Sequence, residues 1–174
     1  EESFKLSKKY NPSFMVLHSN EGIPSQKIDE ELKNKISEKI DSLVKLGRKY
    51  DIDVVIENVG IGKNMVFSQE EYEEMILKNN YKCLIDIGHA YLNRWNINEL
   101  VKKLKNNILG YHFHNNNGLH DEHKPISHGK INYFDMVELI KTYTPSANIV
   151  LEYDFNEDSE ILLEDYNKLK ELFN

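Results

Sequence analysis

Cysteine and arginine are both scarce in this chain: Cys83 is the single cysteine, and Arg48 and Arg94 are the only arginines. One cysteine excludes an internal disulfide and fits a reducing, cytoplasmic compartment. Cys83 lies inside an apolar run, where a thiol behaves as a small buried hydrophobe and not as a nucleophile. With a net charge of −7, the poverty in arginine argues against a nucleic-acid partner, because affinity for phosphate backbone rests on basic contacts. Lys102, Lys103 and Lys105 form the best local basic stripe and read as the solvated face of a helix. No apolar run approaches the ~20 residues of a membrane-spanning helix. No signal peptide is recognisable, although the chain opens at Glu1 and not at Met. No Gly/Ser linker or low-complexity block interrupts it. A composition of 40% apolar and 29% charged residues over 174 positions is that of a single soluble domain, residues 1–174, with one core.

Within that frame, short apolar runs alternate with helical patterns. Strands are expected at Phe14–Leu17, Val54–Ile56, Cys83–Ile85, Ile108–Phe113 and Asn148–Leu151. Between them, Ile36, Ile40, Leu43, Val44 and Leu46 mark a helix over Ile28–Tyr50 at helical period. Ser68 with Glu71 three residues on is a capping box that opens the next helix. Further helices are expected over Ile97–Leu104, Phe134–Tyr143 and Ser159–Phe173. Strands joined by helical crossovers call for a parallel sheet, and continuously apolar runs for strands covered on both faces. Such α/β folds, open or closed into a barrel, gather ligands at the carboxyl ends of their strands.

The chemistry lies at those ends. The five runs finish at His18, Glu57, Asp86 with His89, His112, and Glu152. Five of the seven histidines fall between His112 and His128, a density hard to explain as packing. Glu57, Asp86, His112 and Glu152 offer three carboxylates and an imidazole, a shell suited to Mn²⁺, Zn²⁺, Co²⁺ or Mg²⁺. Asp86 and His89 are three apart across a glycine-containing turn, so both can face one cavity. His89 is then a second metal's ligand or a donor to a substrate oxygen. Asp121 and His123 have the same two readings, as ligands of an additional metal or as residues that orient other ligands. His114 shares a strand face with His112. His120 and His128 read as solvated loop residues, and Asn58 and Asn115 as substrate contacts or turn formers.

The segments VVIENVG (Val54–Gly60), LIDIGHAYL (Leu84–Leu92), YHFHNNNGLHDEHKPISHGKIN (Tyr111–Asn132) and IVLEY (Ile149–Tyr153) resemble the xylose-isomerase-like TIM-barrel superfamily. That group includes sugar-phosphate isomerases and epimerases, inosose dehydratases and abasic-site nucleases of the endonuclease IV type. The resemblance runs in order from about Phe14 to the end. It implies that Glu57, Asp86, His112 and Glu152 hold a divalent metal at the barrel mouth. It makes His89 a substrate contact, as in the isomerases, or a metal ligand, as in the nucleases. In the nuclease pattern His18, Asp121 and His123 are further ligands. Asn115 stands where an aspartate is usual, and Ser127-His128 where Gly-Glu is common, departures that bear on substrate fit and not on the metal. A full barrel takes ~250 residues and eight strands. Five are counted here, so the fold expected is a partial TIM barrel lacking its N-terminal strands, the C-terminal portion of a longer protein or one completed by another chain. Open sheet edges invite pairing, so association through them is expected, as a homo-oligomer or with a complementing chain.

The function this implies is a metal-dependent isomerase or epimerase of a small sugar, sugar phosphate or polyol. Glu57 and Glu152 would move a proton through an enediolate that the metal stabilises, and His89, Asn58 and His114 would contact substrate. An endonuclease IV-like zinc phosphodiesterase and a non-catalytic truncated barrel are the alternatives.

Overall fold

The computed structural model describes residues 1–21 and 28–173. The fold class is α/β, a partial TIM barrel with five parallel strands in the sheet order β1-β2-β3-β4-β5. The strands are β1 (Met15–Leu17), β2 (Val54–Glu57), β3 (Lys82–Asp86), β4 (Ile108–Phe113) and β5 (Asn148–Leu151). All five coincide with the apolar runs of the sequence. By compactness the chain divides into two units, Glu1–Leu84 and Ile85–Asn174, with the boundary inside β3.

The first unit carries α1 (Glu2–Tyr10), β1, α2 (Glu30–Lys49), β2, a 3-10 turn at Gly62–Asn64, α3 (Gln69–Asn79) and the start of β3. The α2 helix starts at Glu30, two residues later than its apolar pattern implies, because the Asp29 side chain accepts a hydrogen bond from the Leu32 N–H and caps it. The capping box at Ser68 forms as expected, with the Glu71 side chain accepting from the Ser68 N–H at 2.7 Å and Ser68 Oγ accepting from the Glu71 N–H at 3.3 Å. Every residue of β2 is buried. Tyr72 on α3 ties helix to sheet, its hydroxyl donating to the Ile56 carbonyl at 2.7 Å. The α1 helix has no counterpart in the sequence reading, since it buries only Phe4 and so carries no apolar stripe.

The second unit carries the end of β3, α4 (Ile87–Leu92), α5 (Ile97–Leu104), β4, α6 (Tyr133–Tyr143), β5 and α7 (Ser159–Phe173). The glycine-containing turn expected between Asp86 and His89 is the first turn of a helix, which begins where β3 ends. Asp86 is its N-cap and accepts from the His89 N–H at 2.6 Å. The α5 face is apolar at helical spacing, and Leu100, Val101 and Leu104 are fully buried. Each such side chain contributes about 1.5–3 kcal/mol through burial. β4 pairs parallel with β5, with His112 opposite Val150. The strands at the ends of the sheet order are the least covered: Val16 on β1 is 38% exposed and Val150 on β5 is 43%. Among the described residues no helix is long and apolar enough to cross a membrane.

Candidate metal centre

In the second unit, the end of β3, the end of β4 and the residue after β5 bring Asp86, His112 and Glu152 together. His112 Nδ1 lies 3.0 Å from Glu152 Oε2 and 3.9 Å from Asp86 Oδ2. Asp86 is fully buried and the Glu152 side chain is 39% exposed. One carboxylate is thus sealed in place while the other stays open to an incoming molecule.

A second set lies in the same unit. Asp121 Oδ2 is 3.1 Å from His89 Nε2 and 3.4 Å from His123 Nε2, and Asp121 Oδ1 is 3.9 Å from His114 Nε2. His114 also meets both oxygens of Asp86, at 3.1 and 3.2 Å, and so lies between the two sets. Candidate ligand atoms of Asp86, His114 and Glu152 all fall within 4.8 Å of one another, as do those of His89, His114, Asp121 and His123. The first set, with His112, is oxygen-rich and suits a hard or borderline divalent ion. The second, rich in imidazole with one carboxylate, suits Zn²⁺. Both donor sets therefore fit the divalent metal that the motifs imply.

The loop that carries these histidines is built by its asparagines. Asn115 is 2% exposed and fully engaged. Its Nδ2 donates to the carbonyls of Ile126 and Ile131 at 2.7 and 3.0 Å, and its Oδ1 accepts from the Asn116 and Ile131 N–H groups, both at 2.9 Å. Gly129 leaves it room: a Cβ there would stand 2.1 Å from Asn115 Oδ1. Asn116 joins the loop to α4 by donating to the Gly88 carbonyl at 3.2 Å. Asn117 Oδ1 accepts from the N–H groups of Leu119 and His120 at 2.8 and 3.0 Å. Beyond the turn, the Ile126 N–H donates to the Tyr153 hydroxyl at 3.0 Å, which itself donates to the buried Asp165 at 2.9 Å. Asn115 is thus a loop former. In sequence only the Asn-Asn-Asn-Gly run signals this scaffold, and the Tyr153–Asp165 link carries no sequence signal.

His123 sits in left-handed backbone at φ 46°, its carbonyl held by the Asp154 N–H at 3.0 Å. Its Nδ1 lies 3.0 Å from the Glu152 carbonyl, which fixes a proton on Nδ1 and turns Nε2 toward Asp121. In the metal-free protein the Asp121 hydrogen bond raises His123 from 6.5 to about 9, burial opposing and the Glu152 carbonyl assisting. Burial would raise Asp121, but His123 and His89 outweigh it and hold the carboxyl well below the usual range. A raised histidine stabilises fully below its unfolded value and loses that contribution as pH rises through its folded value. Chelator-treated protein should therefore melt at progressively lower temperature as pH rises from 6.5 through 9. A melting temperature that climbs over that interval would refute the His123–Asp121 pairing.

The remaining candidates lie in the first unit. Glu57, 2% exposed, ends β2 and pairs with His18, whose Nε2 is 2.9 Å from Glu57 Oε2. His18 Nδ1 is 3.3 Å from Glu21. The Glu57 hydrogen bond raises the His18 pKa against the opposing effect of burial. Asn58 is buried beside them in sequence. His120 and His128 are exposed, as solvated loop residues should be.

Comparison with known proteins agrees with this architecture. An uncharacterized protein of Methanocaldococcus jannaschii, MJ1614, is 26% identical over 161 residues, covering 92% of this chain and 63% of that protein. The crystal structure of a D-tagatose 3-epimerase-like protein superposes with a TM-score of 0.79 at 25% identity, over 98% of this chain and 66% of that one. The IOLI protein, crystallised with a binding zinc atom, superposes with a TM-score of 0.74 at 16% identity, over 99% of this chain and 66% of that one. The chain thus spans just under two thirds of the length of these three proteins. Residues 1–172 match the family described as the xylose isomerase-like TIM barrel, and the chain belongs to that family.

Proposed function

We propose that the chain is a divalent-metal-dependent isomerase or epimerase of a small sugar, sugar phosphate or polyol. The observation that carries this reading is the convergence of Asp86, His112 and Glu152, a buried carboxylate, an imidazole and an open carboxylate. The D-tagatose 3-epimerase-like neighbour supports the substrate class, and the zinc in the IOLI structure supports a metal, with Mn, Zn, Co or Mg compatible with these donors. When bound, the ion supplies positive charge that polarises a carbonyl and an adjacent hydroxyl of the substrate.

The chain's own residues do the rest. Glu152 has a carboxylate both held by His112 and open to solvent, so it can take a proton from the carbon beside a carbonyl and return it. Glu57 keeps, on its motif, the role of further ligand and second acid–base group. His89 rests with its Nε2 against Asp121 and would turn from that contact to donate to a substrate oxygen, and Asn58 is the further substrate contact. The single buried thiol, Cys83, suits a cytoplasmic setting. The half-exposed Val16 and Val150 on the end strands suit association of chains through those edges. A monomer by size exclusion with native-like hydrogen exchange would contradict that association.

Solvent-deuterium incorporation tests the chemistry. A ketose drawn from a panel should gain deuterium at the carbon beside its carbonyl, and Glu152→Gln should slow that gain by about 10²–10⁴-fold. Unchanged incorporation in the variant would remove Glu152 from the mechanism.

One observation favours a second reading. The set of His89, Asp121 and His123 resembles nuclease ligands and is assembled in the second unit. Incision of an abasic duplex, lost on chelation and restored by Zn²⁺, would place phosphodiester hydrolysis first. The net charge of −7 stands against it.

A further inference from the structure

We propose that His114 is a positioning residue that holds Asp86 in place for the metal, seated in a slot that exists because residue 88 is glycine. This rests on the reading of Asp86 as a ligand. His114 is 1% exposed, so it meets no solvent and offers no face to a substrate. Its Nε2 lies 3.2 and 3.1 Å from the two oxygens of Asp86, while the His89 N–H takes Asp86 Oδ1 at 2.6 Å.

The other ring nitrogen decides the tautomer. His114 Nδ1 is buried and has no hydrogen-bond partner among the described residues. A buried N–H without an acceptor is costlier than a bare lone pair, since carboxylate oxygens already stand at Nε2 to receive the proton. The proton therefore resides on Nε2 and is donated to Asp86, which fixes the carboxylate's direction.

Two neighbours fix the ring. A Cβ on Gly88 would stand 2.1 Å from His114 Cε1 and 2.7 Å from Nδ1, so the ring lies directly on the α4 backbone. On its other side the ring stacks on His123, with centroids 4.0 Å apart and planes 11° from parallel. Imidazoles ligate in the ring plane. Two stacked, near-parallel rings would therefore be poorly placed to share one ion. His114 thus lies between the two ligand sets, holding Asp86 by its edge and His123 by its face.

The test is titration of the metal-free full chain with Co²⁺ and Zn²⁺ against a chromophoric chelator, with the visible spectrum of the Co²⁺ form and the metal-free melt recorded for each variant. His114→Phe keeps a ring for the stack and removes the donor. It should weaken metal affinity by about 10–100-fold and shift the Co²⁺ bands. His114→Gln restores a donor and should recover part of that loss. Gly88→Ala, which changes no polar group, should reproduce the weakening with His114 in place. It also serves as the second variant should His114→Phe fail to fold. Wild-type affinity and spectrum in both His114→Phe and Gly88→Ala would overturn the proposal. Loss of one bound ion per chain in His114→Phe and His114→Gln alike would overturn it too, by making His114 a ligand. A wild type that binds neither ion would overturn the metal-dependent reading itself, an outcome distinct from variants that bind as well as wild type.

Discussion

Asn115→Ala should destabilise the protein by about 3–5 kcal/mol, the largest effect expected of any substitution outside the apolar core. The replacement removes four hydrogen bonds at once and strands the groups they satisfied: the Ile126 and Ile131 carbonyls and the Asn116 and Ile131 N–H groups. Each is in the loop that carries Asp121 and His123, and a buried polar group left without a partner costs about 1–3 kcal/mol. Water entering the vacated space recovers part of this, which keeps the total below the sum. Asn115→Asp separates the halves of the arrangement, since a carboxylate keeps both acceptor bonds and loses both donor bonds. It should fall between alanine and wild type, because only an amide serves two carbonyls and two N–H groups together. Urea unfolding reads both variants, and a loss below about 1 kcal/mol for alanine would mean the loop is held by other contacts.

Asp86→Asn should abolish metal binding at the Asp86, His112 and Glu152 set while leaving the fold intact, a loss beyond the roughly 10–100-fold that follows removal of a group merely touching a ligand. Asp86 has two duties, as N-cap of α4 and as the buried carboxylate facing His112 and His114. Asparagine caps a helix as well as aspartate does, so the first duty survives. The second does not, because a neutral amide is a poor ligand for a divalent cation. The helical signal and metal-free melt should therefore match wild type while the chelator competition shows about one ion fewer bound per chain. An Asp86→Asn protein that binds normally would move the site away from β3.

Much of this was legible in the sequence because strands covered on both faces leave a continuous apolar trace. β2 and β4 have no exposed residue, and their runs stand out as Val54–Ile56 and Ile108–Phe113. The ligand candidates were legible because carboxylates and imidazoles at strand ends have few bland explanations. What escaped detection depends on close approach between segments distant in sequence. Gly88 gives no hint that its missing Cβ admits a ring 26 positions on, and the Asn-Asn-Asn run says turn without saying which carbonyls it serves. α1 escaped because a helix that buries one side chain has no periodic signal.

The central claim is that this chain holds a divalent ion through Asp86, His112 and Glu152. Elemental analysis of the full chain, purified without chelator, tests it most directly, with Glu152→Gln and Asp86→Asn prepared alongside. The account requires at least about one Mn, Zn or Co per wild-type chain, falling by about one ion per chain in both variants. No metal in the wild type, even after reconstitution with each of these ions, would contradict it.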